Sequence, residues 1–423
     1  MGAAELERGS PATLLVIGGG ISGLTTAIEA AEVGRDVILV EQNPYLGGRV
    51  AQFYHYFPKQ CPPSCGLEIN FRRIKQNDRI RVLTQAQVTE VSGQAGNYQA
   101  TIVQQPRYVN ERCTACGACA EACDIEIDDP FEYGVGKRKA IDLPHGMAYP
   151  YRYHVDARFA KDERLRKAAD ACEYGAVELD MEPRTFQVTV GAIVAATGWQ
   201  PYDASKLENL GYAANADVIT NVEMERLAAP TGPTAGEIVR PSDGKPIDSI
   251  AFVQCAGSRD ENHLPFCSGV CCLASMKQAQ YVRELYPEAD VHVFYIDIRS
   301  PGRLEDFYTR TKDDPKVVFH RGKVANVVRK GAQLQVEAED TLTGKITTAN
   351  VDMVVLATGM APQTDDLPAG AGFVRDEMGF ITQDAEGEGL VAAGTCTQPL
   401  DVACSIQDAT GAALKGLLRL GKE

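Results

Sequence analysis

Cysteine is the residue type that most narrows the chemistry of this chain, which carries 13 of them, most in two tight groups. Residues 111–123, ERCTACGACAEAC, place Cys113, Cys116, Cys119 and Cys123 in the C-x2-C-x2-C-x3-C spacing that wraps thiolates around an iron–sulfur cluster. Zinc motifs rarely run through three cysteines at successive x2 steps, so iron–sulfur is the expected occupant. A second group, Cys255, Cys267, Cys271 and Cys272, lies on a loop ahead of an expected helix. A vicinal pair alone would read as small buried hydrophobes. Four thiols in so short a stretch supply all-thiolate ligation for iron–sulfur or zinc, and spacing does not separate the two. Cys61 and Cys65 form a C-x3-C pair that invites comparison with a redox-active disulfide, but Pro62 and Pro63 between them disfavour the helix such a pair rides on. A structural or substrate-side role is equally open.

The fourth ligand of the first group is not fixed by proximity in sequence. In two-cluster ferredoxins the last cysteine of each run ligates the other cluster. Downstream, Ala171-Cys172-Glu173-Tyr174-Gly175-Ala176-Val177 resembles the end of a second such motif, Cys-Pro-x-Gly-Ala-Ile, with Glu173 in place of proline, while residues 158–170 hold no cysteine. A pseudo-symmetric fold that had lost one cluster leaves Cys113, Cys116, Cys119 and Cys172 as ligands and Cys123 as a spare thiol. The competing reading keeps Cys123 as ligand and Cys172 as core filler.

Glycine supplies the other pattern. Residues 13–18, TLLVIG, read as a buried parallel strand leading into G-x-G-x-x-G at Gly18, Gly20 and Gly23, then a helix over 24–32, then the strand DVILVEQ over 36–42. In that pattern Gly20 lets the backbone approach a pyrophosphate, the helix N-terminus faces the phosphate charge, and Glu41 accepts the ribose hydroxyls. NAD and FAD share this fingerprint. Gly47-Gly48-Arg49, Ala196-Thr197-Gly198, its echo Ala357-Thr358-Gly359, and GLVAAGTC over 389–396 resemble the flavoproteins built of two dinucleotide domains, which implies FAD. The FAD contacts expected on that basis are Gly18, Gly20, Ile21, Ser22, Gly23, Glu41, Gln42, Gly48, Arg49, Val88, Ala196, Thr197, Gly198, Gly359, Gly394 and Thr395. The family usually has Gly-Asp where this chain has Gly394-Thr395.

A second strand–helix–strand pattern follows as SIAFVQC (249–255), SMKQAQYVRELY (275–286) and DVHVFYID (290–297), where such flavoproteins place their nicotinamide domain. Its turn lacks the glycines a pyrophosphate needs, so a nicotinamide dinucleotide is not expected there. The stretch QCAGSRDENHLPFCSGVCCLASMKQAQ (254–280), followed by FYIDIRSPGRLEDFY (294–308), resembles the A subunit of heterodisulfide reductases. The segment GGRVAQFYHYFPKQCPPSCGLEINFRRI (47–74) is most similar to the quinone-interacting membrane-bound oxidoreductase branch of that family. The resemblance implies an oxidoreductase subunit with FAD and two [4Fe–4S] clusters, the second on Cys255, Cys267, Cys271 and Cys272. It implies as partners a second heterodisulfide-reductase-like flavoprotein and a haem-containing membrane subunit that oxidises menaquinol, with adenylylsulfate reductase as acceptor.

The elements needed to position these residues make an α/β chain of two dinucleotide-binding, Rossmann-like domains of the flavin disulfide reductase type with an inserted ferredoxin-like segment. The expected divisions are 1–105 (FAD domain), 106–182 (insertion), 183–245 (FAD continuation and connection), 246–346 (second Rossmann-like domain) and 347–423 (FAD domain, C-terminal part). With 44% hydrophobic and 23% charged residues over 423 positions the composition is that of an ordinary globular protein, which excludes disorder, collagen and coiled coil. A net charge of −15 repels phosphate backbones and anionic lipid, excluding a nucleic-acid binder. No apolar run of membrane-spanning length and no basic-then-apolar leader in MGAAELERGS are seen, so a cytoplasmic protein with reduced thiols, held at the membrane face by partner subunits, is expected. The rivals are an NAD(P)H-dependent flavin disulfide or sulfide reductase working through Cys61 and Cys65, and a zinc scaffold with vestigial FAD. The basic run Lys137-Arg138-Lys139 beside aromatics reads as a solvated loop or a dock for an acidic partner.

Overall fold

The computed structural model describes residues 9–382 and 389–420. In the first sheet β1 (Ser10–Ile17), β2 (Val37–Glu41), β3 (Ile80–Thr84), β4 (Ala86–Gln94), β5 (Asn97–Gln104) and β6 (Arg184–Ala195) lie in the order β3-β2-β1-β6-β5-β4, with Leu390–Ala392 added on β6. The long β6 has two partners in succession. Its first half runs antiparallel to β5, and its second half runs parallel between β1 and Leu390–Ala392. Both faces are covered, which is why β1 and β2 are apolar without alternation. Leu14 and Val16 pack against helix α1 (Ile21–Glu32) and the helix Val402–Leu417, while Leu15 and Ile17 pack with Val88, Ile102 and Ile193 on the other face. Alanines on both helices, Ala27, Ala30, Ala409 and Ala412 among them, allow a close approach.

Helix α1 starts a turn earlier than the spacing suggests, because Gly20 is its extended N-cap and Gly23 falls in the first turn. A Cβ on Gly23 would stand 1.8 Å from the Gly18 carbonyl oxygen, so helix and strand meet here only without a side chain. Helix α2 (Ser64–Lys75) begins only after both prolines, so no helix runs through the pair Cys61 and Cys65, in keeping with Pro62 and Pro63 between them. Pro63 caps it, leaving Cys65 in the first turn and Cys61 outside, since proline is compatible with a helix start.

The second sheet is wholly parallel. Strands β7 (Val218–Thr220), β8 (Ser249–Ala256), β9 (Asp290–Tyr295), β10 (Val317–Arg321) and β11 (Met353–Thr358) take the order β7-β11-β8-β9-β10. The expected divisions at 245/246 and 346/347 therefore shift, since β7 and β11, assigned to the FAD domain from sequence, hydrogen-bond in this sheet. Helix α3 (Asn221–Ala228) follows β7, and helix α4 (Cys271–Leu285) begins earlier than expected, taking Cys271 and Cys272 into its first turn.

The insertion carries two short hairpins, two short helices and its own apolar cluster around Val109, Ile125, Ile141, Val155 and Leu165. Its basic run is a hairpin strand with its charges answered. Lys137 pairs with Asp128, Lys139 with Glu126 at 2.9 Å, and Arg138 with Asp156 at 3.2 Å, so the three cations are spent within the lobe.

One residue ties the three parts. The buried guanidinium of Arg226 on α3 donates to both carboxylate oxygens of Glu132 in the insertion, at 2.7 and 3.0 Å, and to the Gln52 carbonyl at 3.0 Å, and it lies 4.9 Å over the Phe131 ring. Removing one member of such a pair strands the other charge away from water. Arg226→Met is expected to cost about 3–5 kcal/mol in unfolding free energy, measured by denaturant titration against the parent chain. A loss below about 1 kcal/mol would show that the seam does not rest on this pair.

Candidate functional site

The C-terminal ends of β1 and β2 and the N-terminus of α1 open onto a groove of about 410 Å³ that continues across to the second sheet. Of the sequence-expected contacts, Gly18, Gly20, Ile21, Ser22, Glu41, Gln42, Gly48, Arg49, Val88, Ala196, Thr197, Gly198 and Thr395 line it. Gly23, Gly359 and Gly394 do not line it and act as spacers instead. A Cβ on Gly394 would reach 2.0 Å from the Ser22 hydroxyl and one on Gly359 would reach 2.3 Å from the Ser258 hydroxyl. The Gly394 amide donates to Asp408 Oδ2 at 2.6 Å, while Thr395, standing where the family usually has Asp, lines the groove.

Glu41 is buried at the end of β2, where its Oε2 accepts from the Gly19 amide at 2.6 Å and its Oε1 from the Asn43 amide at 2.7 Å and side chain at 2.8 Å. Burial pushes its carboxyl above the usual range and these donors pull it back. The carboxyl group is thus fixed in orientation at the rim of the groove, its Oε1 taken by two Asn43 donors. Gly20 has extended backbone and only the Gly48 Cα, 3.8 Å away, near its Cβ position, so the space its missing side chain leaves belongs to the groove. Arg49 is held beside it by the Trp199 carbonyl at 3.2 Å, Gln52 Oε1 at 3.3 Å and the Tyr133 hydroxyl at 3.3 Å.

The far end of the groove was not legible in the sequence. Asn221, Glu225, Lys277 and Gln278 line it from α3 and α4. Lys277 Nζ lies 2.8 Å from Glu225 Oε1, both side chains being almost fully buried, and also donates to the His55 carbonyl. Gln278 Nε2 donates to Glu225 Oε1 at 2.7 Å and to the Asn221 carbonyl at 2.8 Å. An i, i+4 pattern of apolar residues in each helix would have been the only signal, and charged residues do not show it.

Cys271 lines the same groove. Its thiol donates to the Thr358 carbonyl at 3.7 Å, and burial, then Cys272, Cys255 and Cys267 in that order, drives its ionisation well above the usual range. Burial likewise pushes Cys272 up to about 11. The four cysteines are therefore near enough to act on one another's ionisation, as the sequence grouping suggests. Four thiolates in such a place need a metal to hold them ionised.

In the insertion Cys113, Cys116, Cys119 and Cys172 line one small pocket with Gly117, Tyr153 and Tyr174. Cys119 is pushed up to about 12 by burial, then by Cys113 and Cys172. Cys172 accepts from the Ala176 amide at 3.3 Å. Cys123 is absent from that lining and its thiol donates to the Ile125 carbonyl at 3.8 Å. Cys61 and Cys65 line neither pocket. No helix among the described residues is long and apolar enough to cross a membrane.

The family model for the NAD(P)-binding Rossmann-like domain matches residues 16–83. The chain is 39% identical over 421 residues to an iron-sulfur A subunit of the CoB--CoM heterodisulfide reductase of Methanopyrus kandleri, covering 96% of this chain and 64% of that one. It is 36% identical over 422 residues to the A subunit of the H(2):CoB-CoM heterodisulfide,ferredoxin reductase of Methanothermobacter thermautotrophicus, with the same coverage, 96% and 64%. Among solved structures, thioredoxin reductase from T. acidophilum superposes with a TM-score of 0.53 at 13% identity over 96% of this chain and 98% of that one, which places the fold with the flavin disulfide reductases. The chain spans about 64% of the length of these curated relatives. Matched over 96% of its own length, the chain is similar throughout to heterodisulfide reductase A subunits, which their names place in oxidoreductases.

Proposed function

We propose that the chain is a flavin and iron–sulfur electron-transfer subunit that works inside a complex. FAD occupies the groove on Gly18, Gly20, Ser22, Glu41, Gly48, Arg49 and Thr197; one [4Fe–4S] cluster rests on Cys113, Cys116, Cys119 and Cys172, and another on Cys255, Cys267, Cys271 and Cys272. When bound, the isoalloxazine exchanges electrons singly or in pairs and the clusters carry them singly. The observation that carries this reading is that Cys271, a member of one cysteine group, lines the same groove as Gly18, Gly20 and Glu41. A ligand in the groove and a cluster on that cysteine would then share a wall.

The residues supply position and environment rather than acid–base chemistry. Glu41 holds hydroxyls, the α1 N-terminus and Arg49 face phosphate charge, and the Lys277–Glu225 pair gives the far end a fixed buried dipole. The turn after β8 runs Ala256-Gly257-Ser258 with Ser258 against Gly359, which leaves no glycine loop for a nicotinamide dinucleotide. That, and the absence of Cys61 and Cys65 from the groove lining, weighs against an NAD(P)H-dependent disulfide reductase. Rapid reduction of the isolated protein by NADH or NADPH would reverse the judgement.

For the partners, the segment 47–74 supports a quinone-linked complex. In it a haem-containing membrane subunit oxidises menaquinol, a second heterodisulfide-reductase-like flavoprotein stands alongside, and adenylylsulfate reductase is the cytoplasmic acceptor, with this chain at the cytoplasmic face. The names of the methanogen relatives favour a second reading, in which the complex reduces a heterodisulfide. Affinity purification of the tagged chain from its host, with haem measured and the co-purifying polypeptides identified, distinguishes the two.

Each assigned site has its own variant. Gly20→Val fits the protein but fills the groove, so it is expected to fold normally while FAD binding weakens at least about tenfold, roughly 1.4 kcal/mol, in a flavin-content and fluorescence titration; full flavin content would sink the assignment. In anaerobically purified protein Cys271→Ala should remove about four irons and the matching labile sulfide. Cys172→Ser should lose the insertion's EPR signal and iron while Cys123→Ser keeps both, and the opposite pattern would make Cys123 the ligand.

A further inference from the structure

The four cysteines of the second group leave a set of buried polar atoms beside them unexplained. Gln254 and Ser258 are each 2% exposed and Ser275 is 0% exposed. Both amide atoms of Gln254 and the hydroxyl oxygens of Ser258 and Ser275 have no hydrogen-bond partner among the described residues. Folded chains pair nearly all such groups, because an unpaired buried amide or hydroxyl has given up water for nothing. Three orphaned groups, each within three residues of a cysteine of this group, mark a point where a partner is missing.

Their placement gives that point. Gln254 directly precedes Cys255, where the register of β8 against β11 shifts and Cys255 takes a left-handed conformation with φ 56°. Alternation along β8 puts Gln254 on the face of Phe252, which packs with Ala279 and Val282 of α4, one step nearer the α4 N-terminus and hence Cys271 and Cys272. Ser275 lies one turn beyond Cys271 on the same face of that helix. Ser258 follows Cys255 in the turn and lies against Gly359. The charged neighbour is already engaged, since Arg259 pairs with Asp297 at 2.9 Å while facing Cys255.

We propose that Gln254 and Ser275 are positioning residues that donate hydrogen bonds to the sulfur of an iron–sulfur cluster on Cys255, Cys267, Cys271 and Cys272 and thereby set its reduction potential. The inference rests on the cluster assignment made above. A reduced cluster carries one more negative charge than an oxidised one, so donors aimed at its sulfur favour the reduced form and raise the potential. An apolar replacement removes that preference without touching a ligand.

The test is an EPR-monitored redox titration of the full chain, with iron and labile sulfide counted in every sample; the signal that Cys271→Ala removes identifies the cluster. Gln254→Leu and Ser275→Ala are each expected to keep the iron and to move the midpoint potential of that signal to a more negative value, leaving the insertion's signal where it was. Retained iron with an unmoved midpoint in both overturns the proposal. Should Gln254→Leu fail to fold, Ser275→Ala decides by the same reading, as does deuterium exchange in electron–nuclear double resonance, where loss of an exchangeable coupling relative to the parent supports the donor role and identical spectra overturn it. Parent protein without iron at this site overturns the cluster assignment itself, a result told apart from the others by the iron count.

Discussion

A guanidinium with almost no access to water sets the geometry of the whole chain. Arg226 must find acceptors within the fold, and it finds them on the insertion and on the turn after Gly48-Arg49, so α3 is drawn against both. With α3 come Asn221 and Glu225, and through Glu225 the Lys277 end of α4. The groove is therefore closed at one end by the first sheet and at the other by helices of the second. Hydrophobic packing alone would hold the two sheets together, but it is non-directional and would not fix which side chains meet across the seam.

The second sheet keeps the parallel architecture of a dinucleotide fold while its first turn serves another purpose. At the tip of β1 the bare backbone of Gly20 gives up its side-chain volume to the groove. At the tip of β8 the chain turns through Cys255 in a left-handed conformation, runs past Cys267 and enters α4 at Cys271. The same topological position, above the carboxyl ends of parallel strands and before a helix, favours negative charge in both cases. Burial alone would keep these thiols protonated, as the upward shifts of Cys271 and Cys272 indicate. Neutral, they pack there as small apolar groups; ionised, they would need a cation beside them.

In the insertion the small pocket gathers three cysteines from one loop and a fourth from the end of the lobe. The turns that aim the first three use left-handed backbone at Ala115 and Gly117. Cys172 arrives because the chain after the short helix Arg164–Asp170 folds back, with Val109 bridged to Val177 and the Asn110 amide bonded to the Ala176 carbonyl at 2.8 Å. Cys123 is buried in the lobe's apolar core, as Cys119 is, but does not line the pocket.

Much of this fold is legible in the order of residues alone. Strand β2 is apolar up to Glu41, and β1 and β8 contain the continuous apolar runs 14–17 and 250–253 that a parallel sheet covered on both faces requires, while the Gly18-Gly20-Gly23 spacing follows from local backbone sterics. The cysteine groups are visible as groups because their spacing is short. What the sequence could not determine is where distant segments meet. Whether β7 and β11 belong to the first or second sheet is decided by hydrogen bonds between strands far apart in the chain, and periodicity is the same in either sheet. Pro63 as a helix cap rather than a breaker depended on which side of it the helix formed. Glu225, Lys277 and Gln278 look like solvated helix residues, and Gln254 and Ser275 like ordinary core positions, because charge and polarity in a sequence say nothing about burial. Their burial, and the partners it obliges them to find, arise only when two sheets and an insertion close on the same groove.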